Sequence, residues 1–182
     1  MASAGKLKAL MMVAHPDDCV IFGFPFYSTH KNFEWSVCYL TYENWDWRAQ
    51  ELTKFWKSRS VATSYLGFTD DYREVDKGNL GFDGAIAIDK IKQSCSGFDL
   101  ILTHNQNGDY GHIHHVFVHD AVKELSVNQL YFAGIENFNY QCVCGDNEYD
   151  LDELPRHRSV IEGFNDRLIG RYFVPDSVRN LI

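Results

Sequence analysis

Short apolar runs alternate with longer amphipathic stretches along this chain. The short runs predict β-strands, because they are apolar or alternate with polar residues and are flanked by turn residues. They lie at residues 7–13, 34–41, 65–68, 98–104 and 129–134, with an edge strand expected at 138–144. The longer stretches predict helices at residues 20–27, 47–64 and 84–94, from the histidine-rich segment to 125, and at 151–164, where Pro155 begins or breaks the helix. Residues 69–83, rich in charge and glycine, predict an irregular loop.

The alternation of strands and helices predicts the fold class. Strands separated by helices form parallel sheets, so we expect an α/β fold that is Rossmann-like, a mostly parallel sheet with helices on both faces. A chain of 182 residues is long enough for one full hydrophobic core. We therefore expect a single domain over residues 1–182.

Polar residues follow the first predicted strand directly. Residues 14–18 read Ala-His-Pro-Asp-Asp, and the proline keeps His15 out of helical geometry. Asp17 and Asp18 then fall in the turn before the first predicted helix. Open α/β sheets bind ligands at the carboxyl ends of their strands, so this turn is a candidate site.

A second polar stretch follows the strand predicted at 98–104. Residues 108–115 read Gly-Asp-Tyr-Gly-His-Ile-His-His, in which two glycines permit a tight turn. His112 and His115 would share one face of a helix, although the valines that follow are β-branched and favour helix less. If both strand ends lie on the same edge, His15, Asp18 and His115 converge. Two histidines and one carboxylate with an open fourth position form a recurrent catalytic zinc arrangement.

The same convergence suggests roles for two neighbouring residues. Asp17 would lie beside a water on Zn²⁺ as general base. His112 would act as an acid or stabilise an oxyanion. The structural alternative for His15, Asp17 and Asp18 is a polar turn that caps a helix. The structural alternative for His112 and His115 is a surface position on a helix.

Composition narrows the class of partner. The net charge of −8 argues against nucleic acid and against an anionic membrane surface. No apolar run is long enough to span a membrane, and the N-terminus runs directly into the first strand, so no signal peptide is expected. Five scattered cysteines favour a reducing, cytoplasmic location. Whether the chain forms a homo-oligomer stays open.

The two polar stretches together resemble the LmbE/PIG-L family of zinc-dependent N-acetylglucosaminyl deacetylases. The family pattern Ala-His-Pro-Asp-Asp-Glu matches residues 14–18, with Cys19 in place of the glutamate. The later family pattern His-Pro-Asp-His matches at His112 and His115, with Ile113 and His114 between them. Thr41, Arg48 and Glu51 also resemble a family Thr…Arg-x-x-Glu stretch, and the likeness covers roughly residues 6–125.

The resemblance implies a zinc-dependent hydrolase that deacetylates an N-acetylglucosamine-type sugar or its conjugate. It implies ligand roles for His15, Asp18 and His115, and catalytic roles for three further residues: Asp17, His112 and Tyr110. It also implies that Arg48 contacts substrate, and Trp45 could stack on a sugar face. The alternatives are a zinc amidase for a non-sugar acylamine, or a catalytically silent binding protein. Arg48 as a solvated charge and Trp45 as a packing residue also stay open.

Structural roles are expected for five neighbouring residues. His104 and His114 are not expected to bind the metal, and His119 is expected to pack or support a ligand. Asp109 is expected to form the turn. Cys19 is expected to be a packed thiol rather than an extra soft ligand.

Overall fold

A computed structural model describes residues 5–132, 151–163, 172–175 and 177–182. Within them, one sheet has the strand order β3-β2-β1-β4-β5-β6. The first five strands are parallel, and β6 pairs antiparallel with β5. The strands are β1 (Lys8–Val13), β2 (Glu34–Thr41), β3 (Ala62–Phe68), β4 (Leu100–Thr103), β5 (Asn128–Phe132) and β6 (Tyr172–Phe173).

Helices follow most of the strands. A π-helical turn, Cys19–Gly23, leads into the first α-helix, and a 3-10 turn, Leu151–Glu153, precedes the last. The α-helices are α1 (Phe24–Thr29), α2 (Trp47–Lys57), α3 (Tyr72–Val75), α4 (Gly84–Cys95), α5 (Gly108–Gly111), α6 (Ile113–Lys123) and α7 (Arg158–Gly163). None of the helices in the described ranges is long and apolar enough to cross a membrane.

Strand β1 shows how the sheet is covered on both faces. Its residues alternate between two hydrophobic clusters, with Met11 and Val13 in one and Leu10 and Met12 in the other. Helices α1 and α2 contribute to the first cluster, and α4 and α6 to the second. Because both faces are buried, the strand reads as a continuous apolar run. The predicted fold class is confirmed.

The predicted helix at 47–64 is wrong at its C-terminal end, because α2 stops at Lys57. Ser60 adopts a left-handed conformation with a φ of 59°. Hydrogen bonds from Ser60 N to Lys57 O (3.1 Å) and from Val61 N to Trp56 O (3.0 Å) form a Schellman motif. Glycine usually holds that position, so the stop was not visible in the sequence. The chain then enters β3 at Ala62, earlier than predicted.

Smaller corrections concern the loops. The predicted loop at 69–83 contains the short helix α3. The helix predicted at 151–164 is broken around Pro155, as the sequence analysis allowed, with a 3-10 turn before it and α7 after it. The edge strand predicted at 138–144 lies outside the described residues, as does the predicted end of β5 beyond Phe132.

The strand order places the polar stretches together. Strand β1 lies between β2 and β4, and the order of connection reverses between β1 and β4. Ligands of open α/β sheets bind at such a switch point, beside the carboxyl ends of the strands. His15 follows the end of β1, and residues 104–115 follow the end of β4.

Candidate metal centre

Backbone contacts hold the turn after β1 against both neighbouring strands. Thr41, at the end of β2, donates from its N (3.0 Å) and its Oγ1 (2.8 Å) to the carbonyl oxygen of Ala14. On the other side, Ala14 N donates to Nε2 of His104, 2.9 Å away, just after β4. Within the turn, His15 N donates to Asp18 Oδ2 at 2.7 Å. The position of His15 is therefore fixed by the sheet itself.

The three residues predicted as metal ligands lie at one point. His15 Nδ1 is 3.1 Å from His115 Nε2 and 3.2 Å from Asp18 Oδ2, and the last two atoms are 3.3 Å apart. All three side chains are buried. Zinc binds such atoms at ~2.0–2.2 Å, and tetrahedral geometry then separates its ligands by roughly 3.3–3.6 Å. The separations in this ligand triangle of His15, Asp18 and His115 lie at or within ~0.2 Å of that range, so the triangle matches the donor set and approximate size of a zinc site.

Asp109 holds His115 in that orientation. Its Oδ2 accepts a hydrogen bond from His115 Nδ1 at 2.9 Å and another from His104 Nδ1. Asp109 has a φ of 61°, so the expected turn role is observed, but its buried carboxylate also orients a ligand. Carboxylate–histidine–metal chains of this kind fix the tautomer of the ligating ring. This second role was not predicted from the sequence.

The charges around His115 are complementary. Burial by itself lowers the pKa of His115, but the carboxylates of Asp18 and Asp109 raise it to about 10. Burial likewise opposes ionisation of Asp18, while His115 and His15 hold the pKa of that carboxyl well below its usual range. A divalent cation would replace the proton as the positive charge among these groups.

His104 lies beside the ligand triangle without joining it. Its Nε2 is 3.5 Å from Asp18 Oδ2, but this nitrogen already accepts the Ala14 N–H, and its Nδ1 faces Asp109. His119 contacts the carbonyl oxygen of His104 through Nδ1 at 3.0 Å. The first arrangement agrees with the expectation that His104 is not a ligand, and the second with the expectation that His119 packs or supports a ligand.

Asp17 faces a different set of groups. Its Oδ1 accepts a hydrogen bond from Arg48 Nη2 at 2.9 Å. Arg48 Nη1 donates to the hydroxyl of Tyr42 at 2.6 Å, and that hydroxyl donates to Asp70 Oδ2 at 3.0 Å. Tyr42 has a φ of 66°, a conformation that is strained for a bulky residue and common at functional sites. Arg48 therefore holds the predicted base, and its predicted contact with substrate stays a prediction.

His112 is placed as a hydrogen-bond donor. As N-cap of α6 it accepts the N–H of His114 at Nδ1, 3.2 Å away. A neutral ring that accepts at Nδ1 carries its hydrogen on Nε2. Burial and the neighbouring imidazoles of His15, His115 and His114 lower the pKa of His112 to about 3, so the ring is neutral near pH 7. Its ring centroid lies 4.5 Å from that of His15.

Two aromatic residues were predicted around this site. Tyr110 is partly exposed, its ring centroid lies 5.0 Å from that of His115, and burial raises its pKa, so its hydroxyl remains protonated. Trp45 follows β2 and is 69% exposed, so it is not a core residue. Tyr110 is thus beside a predicted ligand, and substrate stacking by Trp45 stays a prediction.

Cys19 is a packed thiol, as expected. It is fully buried, and its Sγ lies 3.1 Å from each of three atoms: the carbonyl oxygen of Pro16, the hydroxyl of Tyr39 and Nε1 of Trp56. Burial raises its pKa above the usual thiol range. Through its contact with the Pro16 carbonyl oxygen, this buried thiol packs against the turn after β1.

Besides Asp109, three residues near the site were not predicted to take part in it: Tyr42, Asp70 and His114. His114 was expected only as a non-ligand. Its Nδ1 lies 3.2 Å from His15 Nε2, and Asp70 Oδ1 lies 3.6 Å from the same His15 atom. Tyr42 and Asp70 follow the ends of β2 and β3 at the edge that carries the site, and this placement was a usable signal.

Comparison with known proteins supports the fold. No family model and no curated protein sequence matches the chain. A deacetylase of the teicoplanin biosynthesis pathway, solved as its teicoplanin complex, is similar in structure with a TM-score of 0.62 and 12% identity, covering 91% of this chain and 96% of that one. A deacetylase–bog complex from the same pathway gives 0.52 and 15%, covering 85% and 82%. The zinc-inhibited form of teicoplanin deacetylase gives 0.51 and 14%, with the same coverage. At these identities the likeness shows a shared fold.

Proposed function

We propose that this protein is a zinc-dependent hydrolase that removes the acetyl group from an N-acetylated amino sugar or its conjugate. The observation that carries the proposal is the ligand triangle, with its separations of 3.1–3.3 Å at the switch point of the sheet. Two similar structures are described as deacetylase complexes and a third as a zinc-inhibited deacetylase. Asp17, which precedes Asp18 in the sequence, and His112, whose ring contacts that of His15, would add the groups that amide hydrolysis needs.

His15, Asp18 and His115 would hold the zinc ion. When bound, zinc supplies a Lewis acid that polarises the amide carbonyl and lowers the pKa of water. Asp17, oriented by Arg48, takes a proton from the attacking water. His112 donates its Nε2–H to the oxygen that becomes negative in the tetrahedral transition state, and Tyr110 offers a second donor. These donors act where charge develops, which is how oxyanion stabilisation lowers a barrier.

The proton for the leaving amine comes from Asp17 in this scheme. The sequence alone does not choose between a protonated Asp17 and His112 as the donor to this amine. His112 accepts the His114 N–H at Nδ1, which favours a neutral ring and leaves its single hydrogen on Nε2 for the oxyanion. Asp17, having taken a proton from water, can return it to nitrogen.

Trp45 and Arg48 extend the proposal to substrate binding. Trp45 presents an exposed aromatic ring in the loop between β2 and α2, and aromatic faces suit the apolar side of a sugar ring. The side chain of Arg48 is 20% exposed, so it could contact substrate while holding Asp17. We propose that an amino sugar lies across this loop with its acetamido group toward His112.

The test is release of amine and acetate by the zinc-loaded protein from a panel of N-acetyl sugars and non-sugar acylamines. Hydrolysis of N-acetyl sugars that falls by ~10²–10⁴ in Asp17→Asn supports the proposal. Turnover of the non-sugar acylamines alone would indicate the alternative zinc amidase. A zinc-loaded protein that binds N-acetyl sugars and hydrolyses none would indicate a binding protein on the same fold.

A further inference from the structure

The side chain of His114 has one defined tautomer. The ring is fully buried, and its Nε2 lies 2.9 Å from the carbonyl oxygen of Leu80. A carbonyl oxygen can only accept, so Nε2 carries the hydrogen of the neutral ring and Nδ1 presents a lone pair. The ring of Phe82, with its centroid 5.2 Å away, packs beside it. His114 is thus a buried hydrogen-bond acceptor of fixed direction.

That lone pair faces a predicted zinc ligand. His114 Nδ1 lies 3.2 Å from His15 Nε2, whereas His15 Nδ1 belongs to the ligand triangle. A histidine that binds a metal through Nδ1 carries its hydrogen on Nε2. His15 can therefore donate to His114 only in the tautomer that leaves Nδ1 free for a cation. Asp70 Oδ1, 3.6 Å from His15 Nε2, adds negative charge behind the same N–H.

We propose that His114 is a positioning residue that holds His15 in the tautomer and orientation that bind zinc. The inference rests on the proposed zinc hydrolase and assigns a role to a residue that departs from the LmbE/PIG-L pattern. His15 would then be oriented by a neutral imidazole, where His115 is oriented by the carboxylate of Asp109. A partner of this kind typically changes metal affinity by about 10–100-fold when it is removed.

Two substitutions separate the hydrogen bond from the packing of the ring. In His114→Asn, the amide oxygen lies near the place of Nδ1 and can still accept from His15. In His114→Gln, the amide nitrogen lies near the place of Nε2 and can still donate to the Leu80 carbonyl, but the acceptor is lost. His119→Asn is the matched control, because it changes another buried histidine of α6 and keeps a donor for the His104 carbonyl.

The measurement is the zinc dissociation constant, obtained by competition with a chelator, with the melting temperature of each metal-free protein as the check on folding. We expect His114→Gln to weaken zinc binding by about 10–100-fold. His114→Asn and His119→Asn should stay close to the wild type.

Equal affinities for His114→Gln and His114→Asn, whether both are unchanged or both are weakened, would overturn the role of His114. A second zinc ion per wild-type chain that both His114 variants lose would also overturn it, because His114, Asp70 and His15 would then be ligands of another cation. A folded wild-type protein that binds no zinc would overturn the proposed hydrolase itself. Zinc binding with the wrong pattern among the variants would overturn only the inference.

Discussion

Two sets of residues with different chemistry hold the histidines of the ligand triangle. The His115 wall consists of Asp109 and His104, and the His15 wall consists of His114 and Asp70. Behind His115 lies the loop after β4, where the buried carboxylate of Asp109 accepts from the ring at 2.9 Å. Behind His15 lie His114, which is next to His115 on α6 and accepts as a neutral ring at 3.2 Å, and Asp70, which follows β3. A carboxylate makes the stronger acceptor, because hydrogen bonds with an ionised partner are roughly twice as strong as neutral ones. The comparison predicts that the site depends more on the His115 wall than on the His15 wall.

The walls also differ in how they connect to the predicted base. The His115 wall ends at His104 and the backbone of Ala14. The His15 wall continues from Asp70 through Tyr42 and Arg48 to Asp17. Changes on the first wall should therefore act on metal binding, whereas changes on the second should reach the rate of the reaction as well.

Removing a ligand should have the largest effect on the metal. His115→Ala should bind no zinc at stoichiometric concentration while retaining the fold, because two ligands remain and Asp109 and Asp18 lose a shared partner. Metal analysis after gel filtration, with circular dichroism as the check on folding, measures this. Full zinc occupancy in His115→Ala would remove His115 from the ligand set.

Removing the base should have the largest effect on rate alone. Asp17→Asn keeps the shape and one acceptor for Arg48 but cannot take a proton. Zinc content should be normal, and turnover should fall by ~10²–10⁴, the usual worth of a positioned base. Near-native turnover would sink the mechanism. If zinc were lost from Asp17→Asn but kept in Asp18→Asn, the roles of the two carboxylates would be exchanged.

Neutralising the His115 wall should weaken zinc binding without abolishing it. Asp109→Asn keeps an oxygen acceptor but removes the charge that favours the His115 N–H. We expect zinc affinity to fall by about 10–100-fold, and by more than in His114→Gln. A chelator competition assay on both variants in the same buffer gives the ranking. The reverse order would mean that the neutral wall contributes more to the site.

Substitution of Arg48 tests whether the hydrogen bonds that run from Asp70 to Asp17 affect the predicted base. Arg48→Ala removes both the support of Asp17 and any contact with substrate. Loss of substrate binding alone raises KM, whereas misplacement of Asp17 lowers kcat. We expect kcat to fall, because the structure shows the hydrogen bond to Asp17, with a rise in KM if substrate also contacts the guanidinium. Unchanged kcat and KM would leave Arg48 as a surface charge.

Tyr42 should give the smallest effect of the series. Tyr42→Phe keeps the ring and removes the hydroxyl that accepts from Arg48 and donates to Asp70. Hydrogen bonds to charged groups contribute about 1.5–3 kcal/mol each. Because Tyr42→Phe keeps the direct hydrogen bond from Arg48 to Asp17, kcat should still fall by less than in Arg48→Ala. Zinc affinity measured beside kcat is the control, since a drop in affinity alone would place Tyr42 with metal binding rather than with the base.

The sequence was sufficient to predict which candidate metal ligands lie together. The His-x-x-Asp turn and the later histidines each follow an apolar run, and parallel strands place their carboxyl ends on one edge. These local facts are enough to predict that His15, Asp18 and His115 lie together. Their assignment as ligands remains a prediction that the geometry supports.

The partners of these residues were harder to foresee. Asp109 was expected only as a turn residue, and Tyr42 was not considered, yet both adopt a positive φ and point a polar group at the site. His114 contacts Leu80 and His15, which lie far from it in the chain. Residue spacing within one segment cannot predict such contacts. The end of α2 was also mispredicted, because Ser60 adopts a left-handed conformation that glycine usually adopts.

The pairing of β1 with β4 has a consequence for how the protein folds. Ala9 pairs with Leu100, and the rings of His15 and His115 belong to residues 100 positions apart. Closing so long a loop carries an entropic cost, and parallel pairing of distant strands is intrinsically slow. A cation bound by both histidines would act as a removable cross-link across that loop. At a free concentration of about 1,000 times its Kd, the cation would raise the free energy of unfolding by ~4 kcal/mol. Metal binding would therefore depend on the folded state and would stabilise it.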